Sequence, residues 1–354
     1  MDQLPVWSFA YGLPPHLARI RCVPEDFRVD EVLGFEADGA GEHVLVQVEK
    51  RGANTAWVAR ELARSAGIRA RDVSYAGRKD RNAVTVQHFT LWLGKQAEPD
   101  WSEMPHPEYR VLSSVRHRRK LRLGALKGNR FRLVLRDVTG PVDALDRRLQ
   151  TLRREGVPNY FGPQRFGRNA GNIARAERFF ADPRSVRDRE QRSLLLSTAR
   201  SLIFNSVLSE RVAGGTWNTA LPGEVCMLEG SHSVFRAVEA DAALPERMAT
   251  GDVHPTGPLW GTGETLAAGG AAALEQTVAQ SLAVFARGLE QMDVACARRA
   301  LRLPVRELNW QFDDRQTLTL DFFLPAGAYA TAVLRELVQP YDSEEGAGDD
   351  AEQD

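Results

Sequence analysis

Two stretches far apart in the chain read as halves of one α/β layer, and this constrains the fold more than any other feature. Residues 42–50, "EHVLVQVEK", alternate Val44, Val46 and Val48 on one side, the period of a half-buried strand. "NTAWVARELARSAG" follows, with Asn54 and Thr55 as candidate N-caps. It carries Trp57, Val58, Glu61 and Leu62 at helical spacing and stops at Gly67. Residues 318–338, "LTLDFFLPAGAYATAVLRELV", restore the same order: Leu318, Leu320, Phe322 and Leu324 alternate, a Pro-Ala-Gly turn follows, and then a helix.

The first half of the chain adds further elements. Residues 18–35 read as two strands about a Pro-Glu-Asp turn, 84–93 and 131–138 as strands, and 142–156 as an amphipathic helix with Leu145, Leu149 and Leu152 on one face. From 157 a Gly/Pro/aromatic segment leads to helices at 172–181 and 190–213, then to a long Gly- and Ala-rich region with few clear strands up to about 303. A chain of 354 residues also exceeds what one core usually serves. The expected organisation is one domain, 1–154 and 305–340, interrupted by a second at 155–304, with an acidic tail at 341–354.

The net charge of −1 hides an asymmetry: the tail holds seven acids and no base, and without it the 47 acids fall to 40 against 46 bases. Such a tail cannot bury enough to order itself, and it is expected to be disordered. A mildly basic body permits a nucleic-acid partner. No apolar run reaches 18 residues and the N-terminus lacks a signal-peptide layout, so neither a membrane span nor export is expected. Cys22, Cys226 and Cys296 are far apart with no CxxC pair, which suggests reduced thiols, no zinc site and a cytoplasmic home.

Competing chemistries are thin. There is no Walker loop, no G-x-G-x-x-G after a strand, no G-x-S-x-G elbow and no HExxH. What stands out is "YAGRKDRNAV" (75–84), a single acid, Asp80, among Arg78, Lys79 and Arg81 on a loop between a short strand at 73–76 and the strand starting at 84. An exposed ion pair of this kind contributes little, ~0–1 kcal/mol. The alternative is a catalytic acid held ionised for an anionic substrate.

Residues 116–132, "RHRRKLRLGALKGNRFR", hold eight Arg or Lys among seventeen residues and no acid. Arg118, Arg119, Lys120, Arg122 and Lys127 are candidate phosphate contacts. Gly124 and Gly128 would let backbone approach a phosphate, and Asn129 and Phe131 offer an amide and a ring to a flipped base. "NYFGPQRFG" presents Tyr160, Phe161 and Phe166, with Gln164 and Arg165 exposed, as either an aromatic hinge or an RNA contact.

"YAGRKDRNAVT", "RKLRLGALKGNRF", "VPNYFGPQRFG" and "LPAGAYATAVLRE" together resemble, in order and over residues 20–340, the signatures of the TruD family of tRNA pseudouridine synthases. The resemblance implies isomerisation of uridine-13 of tRNA to pseudouridine, with no cofactor and no metal. It implies a mixed, largely antiparallel pseudouridine synthase-type sheet with flanking helices, interrupted by the family's insertion domain at 155–304. It makes Asp80 the catalytic aspartate and places Phe27, Asn129 and Tyr329 at substrate-contacting positions. Tyr329 departs from the family's Phe by one hydroxyl. Arg21 stands where a Lys often occurs, as a partner for Asp80. Phe131 occupies the place where other pseudouridine synthases carry Tyr. A monomer acting on tRNA is expected. The rivals are a non-catalytic RNA-binding protein and an RNA glycosidase that stops after bond cleavage.

Overall fold

The computed structural model describes residues 4–103, 106–122, 124–237, 241–313 and 316–341. The acidic residues 342–354 lie outside the described residues. The chain divides into two compact units, one of residues 15–148, 305–327 and 338–354, the other of 1–14, 149–304 and 328–337. Strand–helix order groups 1–154 with 305–340, whereas the contacts assign both 1–14 and 328–337 to the unit containing 149–304. The reason is local. The helix Ala330–Leu337 buries Glu336, which accepts from Ala10 N at 3.0 Å, while Arg335 donates to Trp7 O at 2.8 Å and lies over the Phe9 and Tyr160 rings.

The first unit is built on a ten-stranded sheet whose central order is Arg306–Phe312, Leu318–Pro325, Leu126–Arg136, Phe27–Leu33, Val84–Trp92, His43–Arg51, Tyr109–His117. Along this path only Phe27–Leu33 and Val84–Trp92 pair parallel; the other neighbours are antiparallel. The helix Thr55–Ser65 covers one face. Val58 and Leu62 pack there with Val44, Val46, Val48, Phe89 and Leu91, and full burial of each such side chain contributes ~1.5–3 kcal/mol.

Register carries that face across the sheet. Lys50 pairs with Thr85, Thr85 with Val29, Val29 with Phe131 and Phe131 with Phe322. One continuous row therefore begins polar and ends aromatic. Gly128 sits in the strand Leu126–Arg136, because a Cβ there would lie 2.3 Å from both Phe323 Cζ and Leu324 O. It is required by packing, which corrects its reading as a phosphate-approach glycine. The strand also begins at Leu126, earlier than the alternation of its apolar residues suggests.

The second unit packs the helices Gly171–Ala181, Arg189–Ala213, Gly269–Ser281 and Ala283–Gln291 around Phe166, Phe179, Leu202, Ile203 and Leu289. It also holds a four-stranded sheet, Val234–Arg236, Val225–Leu228, Val253–Leu259 and Ala297–Ala300. The sequence hid these strands. Val253–Leu259 contains Pro255, Gly257 and Pro258, residues that weaken a central strand. Gly257 is nevertheless demanded by contact, since a Cβ there would come within 2.9 Å of Leu301 and 3.1 Å of Phe204. Tyr160 and Phe166 are core residues of this unit, the first with Phe204, Leu208 and Trp217.

Candidate active site

The Asp80 loop joins the strand Val73–Tyr75 to Val84–Trp92. Its carboxylate is 48% exposed and accepts a hydrogen bond from Arg21 Nη2 at 2.8 Å. The partner is therefore Arg21, 59 positions away in sequence, rather than the bases flanking Asp80. Of those flanking bases, Lys79 turns inward, its Nζ 2.9 Å from the fully buried Glu31 carboxylate. Arg81 Nε donates to Gly52 O at 3.3 Å.

Arg21 adopts φ +58°, in the left-handed region. That conformation costs a β-carbon-bearing residue ~1–2 kcal/mol. Its guanidinium lies 4.0 Å from the Phe27 ring centroid. Phe27 in turn meets Phe131 edge-on at 6.3 Å, and Phe131 stacks on Phe322 at 5.3 Å. Phe131 is 6% exposed, so it supports Phe27 from within the core and has little free face. Asn129 lies two residues before it on the same sheet face, opposite Glu31. Its Oδ1 is buried and takes no hydrogen bond from the described residues. An unmet buried acceptor costs ~1–3 kcal/mol.

Four groups that the motifs do not single out hold this loop from below. Lys50 is 0% exposed; its Nζ donates to Asp80 O at 2.9 Å and to Ala53 O at 2.8 Å. Thr55 does not cap its helix through the side chain. Its Oγ1 donates to Gln87 Oε1 at 2.9 Å and accepts from Lys79 N at 3.1 Å. Gln87 Nε2 donates to Gly77 O at 2.6 Å. Glu31 accepts from His88 N at 2.8 Å as well as pairing with Lys79. A signal for three of them existed: Lys50, Gln87 and Glu31 each fall in phase with apolar residues of their strands, where a polar side chain must be buried.

Arg118, Arg119, Lys120, Arg122 and Lys127 are exposed. Their segment is tied to the Asp80 loop's approach, since Gly124 N donates to Ala76 O at 3.0 Å and Leu121 N to Thr90 Oγ1 at 2.9 Å. Gly124 has φ +81° and open space around it, as a glycine in a loop should. Arg116 differs from its neighbours in sequence, because its guanidinium donates to Gly94 O at 3.2 Å and Gln96 O at 2.7 Å.

Tyr329 belongs to the second unit. Its hydroxyl accepts from Arg165 Nη2 at 2.7 Å, and its ring meets Phe161 edge-on at 5.9 Å. Arg165 is half-buried and also donates to Ser197 Oγ at 3.0 Å, so it is not the exposed residue the sequence suggested. Arg299, 4.2 Å over the Phe161 ring, donates to Asn159 Oδ1 at 2.6 Å; burial pushes its guanidinium down to about 10.

The family model described as tRNA pseudouridine synthase D (TruD) matches residues 6–176 and 183–337. The chain is 48% identical over 330 residues to tRNA pseudouridine synthase D of Methylococcus capsulatus, covering 93% of each. It is also 48% identical over 334 residues to that of Nitrosococcus oceani, again covering 93% of each. A crystal structure from Methanosarcina mazei that carries the TruD name superposes with a TM-score of 0.72, at 23% identity, over 95% of this chain and 96% of that one; it shares the fold. With the family's model running through both units, and relatives matched along nearly their whole length, this chain belongs to the TruD family of tRNA pseudouridine synthases.

Proposed function

We propose that this protein isomerises uridine to pseudouridine at position 13 of tRNA, with Asp80 as the nucleophile. The observation that carries this reading is the Asp80 carboxylate: half exposed, held by Arg21, on a loop tied to an exposed basic segment. The reaction breaks N1–C1′, turns the uracil and joins C5 to C1′. The C5 proton leaves and N1 gains one, so no electrons are exchanged and no cofactor is called for. A carboxylate attacking C1′ or C6 supports it. In this reading Asn129 meets the edge of the flipped base, and Phe27 and Arg21 shape the site around Asp80. The segment 155–304 is the insertion domain, the rest of the described chain serves catalysis, and the work is done in the cytoplasm.

The test is product analysis. Purified protein incubated with an unmodified tRNA transcript should convert uridine-13 to pseudouridine, read by nuclease digestion and mass spectrometry. Release of free uracil would identify a glycosidase instead, and an unchanged transcript that still binds would identify a binding protein.

The basic segment makes a second prediction. Neutralising Arg118, Arg119, Lys120, Arg122 or Lys127 singly should weaken all tRNAs alike and flatten the log–log salt slope by up to about one for each phosphate interaction removed. Arg116→Gln serves as a contrast, since its guanidinium is spent on Gly94 and Gln96: it should lower Tm and leave the slope unchanged. Equal slopes throughout would return the segment to a merely solvated face.

A further inference from the structure

The buried polar side chains beneath the Asp80 loop form one device, because each of the four reaches that loop. Gln87 holds Gly77 O, Thr55 holds Lys79 N, Glu31 holds the Lys79 ammonium, and Lys50 holds Asp80 O. Position 50 lies in phase with Val44, Val46 and Val48 on the face covered by a helix. An aliphatic residue there would extend the core, whereas a buried ammonium carries a desolvation penalty. Nor is Lys50 spent on a carboxylate: its Nζ donates to two backbone carbonyls, Ala53 O and Asp80 O.

Resting on the reading of Asp80 as nucleophile, we propose that Lys50 is a positioning residue for catalysis: it fixes the Asp80 peptide from below while Arg21 fixes the carboxylate from the side. Arg21 alone restrains one carboxylate oxygen and leaves the peptide free to pivot. Anchoring the peptide oxygen sets where the Cα–Cβ bond points, and the two anchors together hold the carboxylate in one place. Thr55 and Gln87 complete the hold on the preceding residues of the loop.

Protonation gives this role a signature. Burial pushes the Lys50 ammonium down to about 8 from 10.5; Asp80 raises it, Lys79 lowers it and Glu31 raises it. These are the ionisable groups that face it, two from the loop and one from the strand Phe27–Leu33. The unfolded value stays near 10.4. Between about 8 and that value the unfolded chain binds more protons than the folded one, so this group's contribution to fold stability rises with pH. A rate that falls in this window is therefore not unfolding driven by Lys50.

The experiment compares wild type, Lys50→Met, Thr55→Val and Asp80→Asn in single-turnover pseudouridine formation at saturating tRNA, on both sides of pH 8, with tRNA Kd and Tm measured alongside. Lys50→Met and Thr55→Val are expected to lower the rate of the folded protein roughly ten- to a hundredfold, the scale of a misplaced catalytic group, with Kd little changed. The wild-type rate should decline at a lower pH than that of Lys50→Met. A wild-type rate in Lys50→Met, an identical alkaline midpoint, or a rate loss matched by lost folded fraction would overturn the assignment. Should Lys50→Met not fold, a wild-type rate that shows no decline on the alkaline side of pH 8 overturns it. Pseudouridine made by Asp80→Asn would overturn the nucleophile reading itself, whereas a silent Asp80→Asn beside a normal Lys50→Met overturns only the role of Lys50.

Discussion

Asp80→Asn is expected to abolish pseudouridine formation, by at least roughly a thousandfold, the equivalent of ~4 kcal/mol of transition-state stabilisation, while tRNA affinity and Tm stay near wild type. The substitution keeps the size of the side chain and an oxygen that can accept from Arg21 Nη2, so the 2.8 Å hydrogen bond has a surviving partner. It does not touch Asp80 O, so the Lys50 bond persists. The side chain is half exposed, and its exchange opens no cavity. What disappears is the charged oxygen that can attack carbon. Affinity for tRNA is expected to come mainly from phosphates meeting exposed cations, which this variant keeps. Single-turnover assays and filter binding on the same preparation check both halves. Turnover near wild type would remove Asp80 from the nucleophile's role, and a large loss of affinity would show that it binds rather than reacts.

How much of this was legible in the sequence depended on whether the signal was periodic. The strands at 42–50, 84–93 and 318–324 and the helix after Asn54 were readable because their apolar residues repeat at fixed spacing and stop at turn residues. Val253–Leu259 was not, since its prolines and glycine describe a loop until the surroundings of Gly257 are known. In the site, Asp80 stood out because it is one acid among bases, yet the meaning of that pattern was different from its appearance. Lys79 serves a buried Glu31, and the cation that meets Asp80 arrives from Arg21 through tertiary structure. Lys50, Gln87 and Glu31 were visible in principle. Each interrupts an apolar alternation on its inward side, and a polar residue there must be satisfied by something specific. Which loop they satisfy follows only from strand register, and register is not a local property of any one strand.

Phe131→Ala should lose both stability and rate, and the link between the two is an aromatic relay. At 6% exposed, stacked on Phe322 and edge-on to Phe27, the ring fills the core row that starts at Lys50. Truncation to alanine removes that packing and leaves a cavity, costing ~3–5 kcal/mol, or a fall in Tm of about 10 °C for a unit of this size. Catalysis is touched through Phe27. Its ring carries the Arg21 guanidinium at 4.0 Å, and Arg21 holds the Asp80 carboxylate. With Phe131 gone, Phe27 loses its edge-on neighbour, and the ring beneath the Arg21 guanidinium is held less firmly. A single-turnover rate roughly tenfold lower in the folded protein, ~1.4 kcal/mol of transition-state stabilisation, is the expected result, with Kd unchanged. Phe131→Tyr separates the contributions. With the ring 6% exposed, the added hydroxyl is buried without a partner and costs ~1–3 kcal/mol, while the ring still supports Phe27 and the rate of the folded protein is kept. Measuring Tm and single-turnover rate on both variants decides the matter. A destabilised Phe131→Ala whose folded fraction turns over at the wild-type rate would sink the relay and leave Phe131 as core alone.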